Sequence, residues 1–119
     1  MTLLLTPAAL AAAYEFLRTT SPFRGWKLPH ADEVEFHVTR HRDREADHEV
    51  RRREHTIRVS SRTIKTTDAL MQAMAHEMIH AYQDGVARTG THAVHNTEFK
   101  RLASRVCQAH GWKLEGFTE

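Results

Sequence analysis

The stretch from Asp68 to Gln83 constrains this chain more than any other. It contains neither glycine nor proline, and Met71, Met74, Ala75, Met78 and Tyr82 recur at helical spacing. Leu70, Ala73 and Ile79 widen that stripe until the expected helix over 68–83 is apolar around most of its circumference. Such a helix must be covered on several sides, which makes it the centre of the fold. Inside it stands His76-Glu77-Met78-Ile79-His80, an H-E-x-x-H. Residues four apart on a helix share a face, so both imidazoles can reach one ion. The glutamate between them then lies beside the metal, where it can take a proton from an activated water.

The string alone carries limited weight, because the chain holds 10 histidines among 119 residues. Shuffling this composition produces an H-E-x-x-H with a frequency of about 0.07 per chain. The position of the string carries more. Two histidines on adjacent turns of a covered helix must be paired or bound, since burying unsatisfied imidazoles is costly. A catalytic zinc needs a third protein ligand and an open fourth position. Val86 and the lack of a suitably placed glycine exclude the longer H-E-x-x-H-x-x-G-x-x-H pattern. The downstream candidates are His92, His95, Glu98 and His110. His95 immediately precedes a helix start and Glu98 lies one turn further on, and local reasoning leaves both open.

The remaining chain reads as a small α+β domain. Thr6 followed by Pro7 is an N-cap with proline at the first helical position, opening an amphipathic helix over 7–18 with Leu10, Tyr14 and Leu17 on one side. The apolar run from Leu3 to Ala13 lacks a preceding Lys or Arg, so it reads as this helix and not as a signal peptide. Residues 19–32 carry two prolines and a glycine and form a loop anchored by Phe23 and Trp26. Val34, Phe36 and Val38 alternate with polar residues, as do Ile57 and Val59 within 56–60, the period of half-buried strands. Ala46, His48 and Val50 suggest a short strand between them, and an antiparallel meander with one wet face fits the stretch. After a loop over 84–95, a last helix begins at Asn96 or Thr97 and ends at Gly111, with Phe99, Leu102, Ala103 and Val106 facing the core.

Composition bounds the function classes. The length suits a single domain over 1–119, and 40% hydrophobic with 27% charged residues exclude a membrane span and a disordered chain. One cysteine excludes a disulfide framework and a four-cysteine zinc site, and suits a reducing, cytoplasmic compartment. A formal charge of +2 excludes a strongly basic nucleic-acid binder. The arginines of 40–54, including Arg51, Arg52 and Arg53, are nearly cancelled by Asp43, Glu45, Asp47, Glu49 and Glu54. A solvated hairpin is the expectation there, with weak DNA contact through Arg51, Arg52 and Arg53 as the functional alternative. His41, His48 and His55 recur every seven residues and are expected to be exposed. Cys107 is expected to be a buried free thiol despite His110 three residues on. Tyr82 is read as a packing residue with an oxyanion role as the alternative, and Asp84 as either an orienter of His80 or a solvated carboxylate.

His76-Glu77-Met78-Ile79-His80-Ala81-Tyr82, followed by a loop and His95-Asn96-Thr97-Glu98-Phe99-Lys100, resembles the SprT-like family of zinc metalloproteases. That family includes the eukaryotic Spartan proteases, which act on DNA–protein crosslinks, and its pattern is H-E-[LM]-x-H-A, a loop, then H-G-x-x-F. The resemblance implies a zincin-like metalloprotease domain: N-terminal helix, small antiparallel sheet, H-E-x-x-H helix and C-terminal helix. It implies one Zn2+ per chain held by His76, His80 and His95, with Glu77 as general base and a protein as substrate. Asn96 stands where glycine is usual, and asparagine tolerates left-handed backbone angles. With one cysteine the chain has no zinc ribbon, so the resemblance describes a bare catalytic core. The alternative class is a zinc-stabilised module that binds nucleic acid or protein with little hydrolytic activity. Hydrolysis of a non-peptide amide is a third reading, since the same constellation polarises any carbonyl.

Overall fold

Three capping side chains divide the chain, two of them, Thr6 and Asn96, where the sequence leads one to expect. In the computed structural model, which describes residues 4–87 and 95–117, the Thr6 side chain accepts from the Ala9 N–H and opens α1 (Pro7–Arg18). Thr66 does the same for α2 (Thr67–Ala81) through the Ala69 N–H. Asn96 opens α3 (Thr97–His110) through the Phe99 N–H with extended backbone angles, so the left-handed conformation that asparagine tolerates is not used there. Each cap satisfies a donor that the first helical turn leaves without a partner. Gly111, at φ 76, ends α3 in the left-handed conformation that glycine adopts without strain.

The sheet holds β1 (Val34–Thr39), β2 (Ala46–Arg51) and β3 (Glu54–Ser60) in the order β1-β3-β2. The expected antiparallel meander is therefore corrected to a mixed sheet. β2 and β3 form an antiparallel hairpin, but β1 pairs with β3 in parallel, Phe36 opposite Ile57 and Val38 opposite Val59. The physical reason lies in the side chains. β3 buries Ile57, Val59 and Ser60 and takes the centre, whereas β2, which buries no aliphatic residue fully, lies at an edge. A meander would have placed the charged strand in the middle. The segment between β1 and β2 is tied across the end of β3 by Ser60 N–H to Glu45 O and Ser61 N–H to Thr39 O.

The inner face of the sheet is covered by α1 and α2. Leu10, Tyr14 and Leu17 of α1 are fully buried, with Tyr14 edge to face on Phe36 of β1 at 5.5 Å between ring centres. Met74, Ala75, Met78 and Ile79 of α2 are fully buried, as the breadth of its apolar surface requires. α3 covers α2 from the other side with Phe99, Leu102, Ala103 and Val106. Among the described residues no helix is long and apolar enough to cross a membrane.

Two further expectations need correction. α2 does not run as one α-helix to Gln83; it widens into a π-helical turn over Tyr82–Val86. And of the three histidines expected to be exposed, only His41 is. The hairpin turns on two residues, so His48 pairs with Ile57 and Val50 with His55. Residues seven apart then become diagonal neighbours on the inner face. The His48 side chain is 1% exposed and His55 6%, and His48 Nε2 lies 2.9 Å from His55 Nδ1. The Asp84 carboxylate stands 3.9 Å from His48 Nδ1, which answers part of the question its sequence position posed.

The His55 ring lies against the π-turn at Gly85. A Cβ built on Gly85 would sit 2.3 Å from His55 Cε1. Gly85→Ala is therefore expected to cost about 1–3 kcal/mol in urea unfolding, the usual range for overpacking. In a His55→Ala background most of that cost should vanish. Equal costs in both backgrounds would refute the collision.

Candidate metal centre

Helix α2 brings His76 and His80 to one face, and the residue before the α3 cap brings His95 opposite them. Their ligand nitrogens all lie within 4.8 Å of one another, the one such group of three among the described residues. His80 Nε2 faces His95 Nε2 at 3.3 Å. His76 turns its other ring nitrogen outward, with Nδ1 2.7 Å from the carbonyl oxygen of Phe117. The three histidines could hold a metal ion.

Phe99 forms the floor of this group. Its ring centre is 4.3 Å from that of His95, nearly parallel, 4.7 Å from His80 and 5.1 Å from His76. This fully buried phenyl ring restricts His80 and His95, which stack on it and can pivot only by leaving the stack, while the His76 ring meets it at a tilt of 59°. Phe99 reads in the sequence as a core residue of α3, and its role beneath the histidines becomes visible only with the helix in place.

The cleft beside the histidines encloses about 860 Å³ and is lined by Glu45 and by Ala46 at the start of β2, by His76 and Glu77 of α2, and by Trp112 and Gly116 after α3. Glu77, on the lining of this cleft, is only 7% exposed. The model of the SprT-like family matches residues 14–117. The chain belongs to the SprT-like family. Comparison with curated proteins and with solved structures gives no match.

Two electrostatic features mark the SprT-like site. Burial pushes the Glu77 carboxyl up from 4.5 to about 8, with the nearby Asp47 carboxylate adding to the rise. Burial also lowers His76, against the Phe117 hydrogen bond that raises it and with the His95 charge lowering it further. A neutral imidazole has a lone pair to offer a metal, so the lowered value suits a ligand.

The other candidates among the described residues fall outside the converging group. Glu98 accepts from Gln83 Nε2 at 3.0 Å, and Asn96 Oδ1 accepts from the same nitrogen at 3.2 Å. Gln83, 1% exposed, thus ties the π-turn to the start of α3 next to His95. Sequence reading missed it; a glutamine on the rim of an apolar stripe is an ordinary solvated residue until the partner segment is placed. His92 lies outside the described residues. His110 stacks on Trp112 at 4.8 Å, away from the metal group. Cys107 is buried and burial raises its thiol, which removes it as a nucleophile at neutral pH. Tyr82 packs on Trp26 with ring centres 4.7 Å apart. Arg51 is paired with Glu49 at 2.7 Å, while Arg52 and Arg53 form the exposed tip of the hairpin.

Raised Glu77 has a consequence for the metal-free protein. Below pH 4.5 the carboxyl is protonated in both folded and unfolded chains. Between 4.5 and about 8 the unfolded chain ionises first, so folding stability falls as pH rises, by roughly 1.4 kcal/mol per pH unit at most. Glu77→Gln should therefore match the parent in denaturant unfolding at pH 4 and exceed it by a few kcal/mol at pH 8. A gain independent of pH would contradict the buried carboxyl.

Proposed function

We propose that this SprT-like chain is a zinc-dependent metallopeptidase of the H-E-x-x-H type that hydrolyses peptide bonds of a protein substrate. The observation that carries the reading is the separation of 3.3 Å between His80 Nε2 and His95 Nε2 inside the three-histidine group. Two nitrogens each about 2.0–2.1 Å from a single tetrahedral zinc stand about 3.3–3.4 Å apart. The donor set is all imidazole, which suits zinc, and three protein ligands are the number that catalytic zinc takes. Zinc bound there supplies Lewis-acid polarisation of the scissile carbonyl and lowers the pKa of water to near neutrality.

The chain's own residues do the rest. Glu77, one position after the first ligand and on the cleft, accepts the proton of the attacking water and delivers it to the leaving amine. A carboxyl raised by burial suits both steps, because its proton affinity lies nearer the working pH than that of an exposed glutamate. The cleft walls, β2 on one side and the segment after α3 on the other, hold the substrate over His76 and Glu77. The competing reading, a zinc-stabilised module with little hydrolytic activity, has no use for a buried carboxyl lining the cleft next to His76. DNA contact through Arg51, Arg52 and Arg53 is proposed as an accessory property only, since Glu49 engages the first of them.

The test is hydrolysis of an unfolded protein by zinc-loaded parent and by Glu77→Gln, with metal content measured on both. The account expects cleavage by the parent, one zinc in each protein, and a loss of at least about 100-fold in the variant. Cleavage by Glu77→Gln at the parent rate, or a zinc-loaded parent that cleaves nothing, would overturn it.

A further inference from the structure

We propose that the turn Leu114–Phe117 is a positioning element for the metal site, setting which nitrogen of His76 faces the ion. The proposal rests on the three-histidine group being a metal centre. A backbone carbonyl can only accept, so the 2.7 Å contact between Phe117 O and His76 Nδ1 requires the hydrogen on Nδ1. His76 then presents Nε2 with its lone pair toward His80 and His95, before any ion arrives. Hydrogen bonds of this kind fix tautomer and ring orientation, and their loss typically weakens metal binding 10- to 100-fold.

The turn is built to hold that carbonyl. Glu115 at φ −60, ψ 134 and Gly116 at φ 86, ψ −37 are the two central residues of a type II turn, whose second position needs glycine. Phe117 is buried, with its ring centre 5.7 Å from His76 and 6.0 Å from Trp112. Trp112 in turn stacks on His110 at the end of α3. A run of aromatic contacts thus connects the end of α3 to the first metal ligand on α2, forty-one residues apart in sequence from Phe117. The same turn forms one wall of the cleft through Gly116 and Phe117. One short segment therefore both shapes the substrate side of the site and orients a ligand.

Gly116 isolates the effect. A Cβ there meets nothing within 4 Å, so Gly116→Ala acts through the backbone of the turn and not through a collision. Gly25, at φ 95 in the loop before β1, is also open and serves as the matched control. Two readouts test the proposal without recourse to activity. Nitrogen-15 spectra of the metal-free parent should show His76 with its proton on Nδ1 and a bare Nε2. Competition with a chromophoric chelator should show zinc bound about 10- to 100-fold more weakly by Gly116→Ala, with Gly25→Ala at the parent affinity despite a similar fall in thermal stability. Equal affinities in all three proteins, or an Nε2-protonated His76, would overturn the positioning role while leaving the metal site intact. A parent that binds no zinc would overturn the metal centre itself.

Discussion

Burying α2 sets the terms for everything else in this molecule. The helix is covered on several sides by apolar contacts, with Met74, Ala75, Met78 and Ile79 removed from water. The same helix carries His76, Glu77 and His80, groups that oppose burial. Desolvating them costs free energy that an apolar helix would not spend, and the raised Glu77 and lowered His76 are its visible signs. The arrangement becomes economical in two ways: the imidazoles share one site, and the glutamate lies at the foot of a cleft. Fold stability and site chemistry thus meet on one element.

Three separate segments complete the site around that helix. The residue before α3 supplies His95, α3 itself supplies the Phe99 floor, and the turn after α3 supplies the carbonyl that engages His76. Gln83 joins the end of α2 to the start of α3, and His55 of β3 presses on the π-turn at Gly85. Each contact crosses between elements distant in sequence. The geometry of the three histidines is consequently a property of the packed domain and not of the H-E-x-x-H string.

This explains what could be read from the chain alone. Local chemistry was legible: Thr6 with Pro7, Asn96 and Gly111 mark helix ends through interactions spanning a few residues, and the helical spacing of His76 and His80 follows from the pitch. The strand order was not, because alternation along β1 and β3 says which face is buried but nothing about which strand lies beside which. The parallel pairing of β1 with β3 depends on which strand is apolar enough for the centre. The His48–His55 pair was missed because its neighbourhood depends on a two-residue turn, here Arg52 and Arg53 with φ of 50 and 70. Arginine has no special preference for that conformation, so nothing in its identity announced the turn. Local reasoning also left His95 and Glu98 undivided; only the cap Asn96 and Thr97 separate a donor beside His80 from a carboxylate bonded to Gln83.

The central claim is that three imidazoles from two distant segments hold a single zinc with one position open. X-ray absorption at the zinc edge, on protein loaded with one equivalent, tests it most directly. The account predicts a first shell of three nitrogen scatterers at about 2.0–2.1 Å with the multiple-scattering signature of imidazole, and one oxygen. A sulfur scatterer, a shell with fewer than three imidazoles, or zinc washed off by dialysis would contradict it.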